Sequence, residues 1–196
     1  MDGESTVLGL DLSLTSTGIV VLSPRGEVLY NRVTGCQLRK AKIWDEQKRI
    51  AEIVEVIEEI LGGEYGIKYV AMEDYAFNQR KDSKITKQAE LVGAVKYMLY
   101  QYRIEPVVVG ISQSRRLTFG IPVGVSNKER KEGMKIKDKV KALVKEQYDL
   151  EFSTNDETDA FVIAEAVRKA AMGGDGLTVK EIESIRKLLS RRKGEK

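Results

Sequence analysis

The sequence predicts one α/β domain built on a five-stranded mixed sheet, antiparallel over its first three strands, extended by parallel additions and flanked by helices. Three observations carry that prediction. Three strand-length segments at the start are joined by connections too short for a helix, which makes them an antiparallel meander. Two further apolar strands then alternate with segments of helical period, the pattern of parallel crossovers. Finally, 196 residues fill one good core and not two, and no internal repeat divides them.

The elements follow in order. Residues 7 to 12 and 18 to 23 are strands linked by "SLTST". The turn signal "SPRGE" leads into a third strand over residues 27 to 33. In "KIWDEQKRIAEIVEVIEEILGG", Ile43, Ile50, Ile53, Val54, Ile57, Ile60 and Leu61 recur at helical spacing, and Gly62 and Gly63 stop the helix. "IKYVAME" is nearly continuous apolar chain, suited to a central strand covered on both faces. A helix over "SKITKQAELVGAVKYMLYQYRI" turns Ile85, Leu91, Val92, Val95, Met98 and Leu99 inward, and "EPVVVGIS" is the fifth strand. "SQSRRLTFG" is a short helical segment, and "GIPVGVSNKERKEGMK" is a long basic loop. Helices over "KIKDKVKALVKEQY" and "NDETDAFVIAEAVRKAAMGG" follow. A last one, "TVKEIESIRKLLSRR", opens with a capping box between Thr178 and Glu181.

Composition narrows the function classes. A hydrophobic share of 42% against 32% charged residues belongs to a soluble globular chain, and no apolar run is long enough to span a bilayer. "MDGESTV" has neither the basic region nor the apolar segment of a secretory signal, and the single Cys36 suits a reducing compartment, so the expected location is cytoplasmic. The absence of histidine excludes a Ser-His-Asp triad, and with one cysteine it excludes a structural zinc site. Any bound metal is therefore held by oxygen, which suits Mg2+ or Mn2+. The net charge of +3 hides an asymmetry. Residues 41–64 hold three Lys/Arg against seven Asp/Glu, residues 113–147 ten against four, and the end "RKLLSRRKGEK" is basic again. An acidic face opposite a basic one is the footprint of a nucleic-acid binder, although solvated surface charge alone also makes such runs.

Acidic residues stand at four unusual places. Asp11 lies inside the first apolar strand, where an unpaired carboxylate carries a desolvation penalty on the order of several kcal/mol. Glu73 ends the fourth strand. Asp156 and Asp159 open a helix whose next residues, Ala160 to Ile163, are apolar; a spacing of three puts both on one face. Each has a plain alternative: backbone amides of "SLTST" for Asp11, a solvent-facing strand end for Glu73, a helix cap or first-turn position for Asp156. Together they point elsewhere. Adjacent central strands bring Asp11 beside Glu73, and a helix crossing the sheet end adds Asp159 and Asp156. Like charges that close call for a cation, and two divalent ions roughly 3.5 to 4 Å apart are the usual device for phosphodiester hydrolysis.

The segments "GLDLSLTSTGIVV", "YVAMEDYAFNQRKDSKITKQAELVGAV", "MKIKDKVKALV" and "NDETDAFVIAEA" resemble the RuvC-type Holliday-junction resolvases of the ribonuclease H-like superfamily, over roughly residues 7 to 170. Departures from the better-known cellular members fit a phage or otherwise divergent one. The resemblance implies a ribonuclease H-like nuclease domain over residues 1–175, with residues 176–196 a C-terminal helical extension and basic tail. It implies that Asp11, Glu73, Asp156 and Asp159 hold Mg2+ or Mn2+, two ions per site, and that Lys137 lies near the scissile phosphate. It implies a homodimer paired through the helix at about 83–103, acting on a four-way DNA junction by paired symmetric nicks. DNA contacts fall on Arg80, Lys81, Arg115 or Arg116, Lys135 and Lys137, and on an aromatic acting at the junction centre. An ungapped match puts Ala76 at the aromatic position, so Phe77, then Tyr75, takes that role; packing against the helix is the alternative for both. Two other readings stay in view: a YqgF-like nuclease acting on RNA, and a DNA-binding module without catalysis. "GLDLSLTSTG" is also similar to a phosphate loop of actin-like ATPases and sugar kinases. Those need a second such domain, so no nucleotide cofactor is expected.

Overall fold

The computed structural model describes residues 6–35, 42–73 and 83–172. Strands β1 (Thr6–Asp11), β2 (Thr17–Leu22) and β3 (Val28–Thr34) form the meander, followed by α1 (Ile43–Gly62), β4 (Ile67–Glu73), α2 (Ser83–Gln101) and β5 (Val107–Val109). Then come α3 (Ile111–Phe119), α4 (Asn127–Lys131), α5 (Ile136–Tyr148) and α6 (Asn155–Ala171). The sheet order is β3-β2-β1-β4-β5, with β1 antiparallel to β2 and parallel to β4. No helix among the described residues is long and apolar enough to cross a membrane.

Both faces of the central strands are covered, which is why β1 and β2 read as apolar runs rather than alternating ones. Leu8, Leu10, Ile19 and Val21 pack with Ile53 and Ile57 of α1 and Leu91, Val95 and Leu99 of α2. Val7, Val20 and Leu22 turn to the other face, against Phe161, Ala164 and Val167 of α6 and Val140 and Val144 of α5. The close seating of α6 depends on two glycines. A Cβ on Gly9 would lie 2.3 Å from the Ala160 carbonyl oxygen, and one on Gly18 would lie 2.0 Å from that of Asp156. Only hydrogen at those positions lets the helix start directly over the strand ends.

Several boundaries differ from the sequence expectation, each for a local reason. The fifth strand is confined to Val107–Val109: Pro106 cannot donate to the ladder, and Gly110 already accepts from the Ser114 N–H of α3 at 2.8 Å. Helix α2 stops at Gln101 because Arg103 turns to φ 56° and the Ile104 N–H folds back to Leu99 at 2.9 Å. The basic loop contains α4, opened by reciprocal bonds between Ser126 and Glu129, a capping-box spacing that is visible in "SNKE". Ile43, expected inward, is 77% exposed, as is Trp44, because the first turn of α1 projects past the core. The helix expected from Thr178 lies outside the described residues.

Candidate active site

The β1–β4 register places the site. Leu10 pairs with Met72, so Asp11 and Glu73 are the next residues on neighbouring parallel strands. Asp11 also pairs with Gly18, over which the first turn of α6 sits, so Asp156 and Asp159 arrive at the same strand ends. Helix α6 is capped by Thr154: its Oγ1 accepts the Glu157 N–H at 3.1 Å, and the Glu157 carboxylate accepts the Thr154 N–H at 3.0 Å. Asp156 is therefore released from capping, the alternative its sequence position left open. Glu157 is buried and ties the turn to β3 by accepting from the Asn31 amide at 2.8 Å. Burial pushes the Glu157 carboxyl up, but hydrogen bonds from Ser153, Asn31 and Thr154 outweigh it and hold the group below its usual range.

Asp11 is partly buried and sits among like charges. Burial, then the charges of Asp159, Glu73 and Asp156, raise the Asp11 carboxyl from 3.8 to about 7, with Lys137 pulling the other way. Among the described residues, the cations Lys137 and Arg115 reach into this cluster. Lys137 Nζ, from the start of α5, lies 3.4 Å from Asp159 Oδ2 and 3.8 Å from Asp156 Oδ1. Arg115 is buried in α3, with Nη2 3.3 Å from Asp159 Oδ1. Of the two arginines expected to face DNA, Arg115 is buried beside Asp159 and Arg116 is exposed on α3. Lys135 is exposed immediately before α5. Tyr75, Phe77, Arg80 and Lys81 lie outside the described residues.

Three further contacts hold the loop after β1 beside the site. Ser16 Oγ donates to Asp156 Oδ2, the buried Arg49 of α1 donates to the Leu14 carbonyl, and the Gln88 amide of α2 donates to the Leu12 carbonyl at 2.8 Å. The hydroxyl-rich "SLTST" hints at the first; nothing in the sequence points to the other two. Among the described residues no three acidic groups draw close enough to share one ion, and the Lys137 ammonium lies on the α6 pair instead. The donor chemistry nonetheless fits a hard divalent cation, because every candidate ligand is a carboxylate oxygen and the chain has no histidine.

Comparison with known proteins bears on the fold and the family. The structure of Thermus thermophilus RuvC in complex with a Holliday junction substrate matches with a TM-score of 0.64 and 18% identity, covering 86% of this chain and 96% of that one. A second Thermus thermophilus RuvC structure matches with a TM-score of 0.64, 19% identity and the same coverage. The yeast mitochondrial Holliday junction resolvase Ydc2 matches with a TM-score of 0.47 and 16% identity, over 96% of this chain and 83% of that one. No curated protein sequence matches the chain. The family model described as crossover junction endodeoxyribonuclease RuvC matches residues 7–167, which include all four acids described above, Arg115 and Lys137. The chain therefore belongs to the RuvC family of crossover junction endodeoxyribonucleases.

Proposed function

We propose that this resolving endonuclease cleaves four-way DNA junctions by paired, symmetric nicks, at a site in which Asp11, Glu73, Asp156 and Asp159 hold two Mg2+ or Mn2+ ions. The observation that carries the reading is the arrival of acids from β1, β4 and α6 at one strand end, where burial first, and then the charges of Asp159, Glu73 and Asp156, raise Asp11 to about 7. A carboxylate buried among like charges is favoured in its ionised form when a cation neutralises the cluster. The bound ions would lower the pKa of the attacking water and stabilise the departing oxygen. The chain's own residues do the rest. Arg115 fixes the Asp159 carboxylate in one orientation. Lys137, with a half-exposed side chain, is free to turn from the acids to an incoming phosphate. Lys135 adds positive charge beside it.

The same proposal makes the molecule a homodimer through α2, so that two sites act on one junction. Gly93, Tyr97 and Tyr100 recur at positions i, i+4 and i+7 of that helix. Tyr97 and Tyr100 are 65% and 78% exposed, a large aromatic stripe for a soluble surface. The deciding experiment offers a synthetic four-way junction, matched duplex and structured RNA, with and without Mg2+ or Mn2+. Symmetric nicks in the junction alone are expected, and none with Asp11→Asn. Preferential cutting of RNA, or full activity of Asp11→Asn, would overturn the reading.

A further inference from the structure

The loop between β1 and β2 is fastened from every side. Within it, the Ser13 N–H donates to Thr17 Oγ1 at 3.0 Å, and the Thr17 hydroxyl donates back to the Ser13 carbonyl at 2.6 Å. Arg49 of α1 holds the Leu14 carbonyl, and Gln88 of α2 holds the Leu12 carbonyl. The remaining tie leaves the loop altogether: the half-buried Ser16 hydroxyl donates to Oδ2 of Asp156, across the gap between the sheet and α6. The two oxygens of Asp156 therefore face different partners. Oδ2 is taken by Ser16, while Oδ1 is the one turned toward a cation, the Lys137 ammonium at 3.8 Å. A hydroxyl bonded to a carboxylate is charge-assisted, and roughly twice as strong as its neutral counterpart. Turning both oxygens squarely toward one cation would strain or break that bond.

We infer that Ser16 is a positioning residue that makes Asp156 offer a single oxygen, Oδ1, to a divalent ion and so biases the site toward Mg2+ over Ca2+. The inference rests on the reading that Asp156 holds a metal. Mg2+ is small and demands a tight octahedral arrangement, whereas Ca2+ accepts both oxygens of one carboxylate in a loose shell. Pinning one oxygen therefore favours the smaller ion. Groups that orient a ligand in this way typically change metal affinity by about 10 to 100-fold when removed. The four hydrogen bonds named above besides that of Ser16 hold the loop, so Ser16→Ala takes away the hydroxyl and leaves the loop anchored.

The test uses the full chain without DNA, titrated with Mg2+ or Ca2+ alone and followed by calorimetry and by the shift in melting temperature. Ser16→Ala is expected to weaken Mg2+ binding about tenfold while Ca2+ binding holds or strengthens, lowering the Mg2+/Ca2+ preference about tenfold. Ser16→Thr, which keeps the hydroxyl, is expected to restore the preference. An unchanged preference, or equal weakening for both ions as a purely structural defect would give, overturns the role of Ser16. If the wild-type chain binds neither ion, the metal reading of Asp156 itself falls, so the two failures are told apart by the wild-type titration.

Discussion

Asp11→Asn should make the metal-free protein more stable while it ends cleavage. In the folded chain the Asp11 carboxyl is raised from 3.8 to about 7, first by burial and then by Asp159, Glu73 and Asp156. A raised carboxyl favours its neutral form in the fold. The folded state is therefore unpenalised below the unfolded value near 4. It loses stability as pH climbs from there to about 7, and the loss is complete above that. A difference of about 3 pH units at about 1.4 kcal/mol each sets a ceiling of about 4 kcal/mol at pH 8. Asp11 is only partly buried, so water reaching the site reduces this to about 1–3 kcal/mol. For a chain of this size each kcal/mol moves the melting temperature by about 2–4 °C, giving an expected gain of about 2–12 °C. The assay is thermal unfolding in chelator at pH 8 and at pH 4, wild type against Asp11→Asn. The gain should be present at pH 8, vanish near pH 4, and shrink when millimolar Mg2+ stabilises the wild type. A variant less stable than wild type at pH 8, or a gain of equal size at both pH values, would refute the electrostatic argument.

Further outcomes follow from other contacts. Lys137→Ala removes a cation from Asp156 and Asp159; cleavage in single-turnover assays should slow by about 10²-fold, and the salt slope of junction binding should fall by about 1. Gly18→Ala would set a methyl 2.0 Å from the Asp156 backbone oxygen, so α6 must shift; a loss of about 1–3 kcal/mol is expected in urea unfolding, together with weakened metal binding. Glu157 is held below its usual range, so the stability its charge contributes is full above pH 4.5 and is lost as pH falls through its lower folded value. Glu157→Gln should therefore cost about 1–3 kcal/mol at pH 7 and progressively less toward pH 3, read by denaturant midpoints across pH. Tyr100→Glu on the exposed stripe of α2 should convert a dimer into a monomer by light scattering; an unchanged mass would place the interface elsewhere.

Much of the site was legible because its members break local rules. Asp11 interrupts an apolar strand, Glu73 closes one, and Asp159 precedes a fully apolar helix face, so each stands out against its own neighbours. The α/β architecture was legible for the complementary reason: strand and helix periods are written in consecutive residues. Element ends were less so. The fifth strand gave way to Pro106 and to the start of α3 at Ile111, and α4 formed inside a loop from a spacing that basic charge concealed.

What the sequence determined by itself is the chemistry available: oxygen ligands without histidine, four carboxylates on elements able to meet, and a basic stretch to draw a polyanion. Tertiary structure decided how those groups face one another. It brought Arg115 to Asp159, assigned the α6 cap to Thr154, and tied Asp156 to Ser16, 140 residues away. Gly9 and Gly18 show why. Their role is the absence of a side chain under a helix more than a hundred residues later in the chain, and such steric permission leaves no periodic or compositional trace in the sequence.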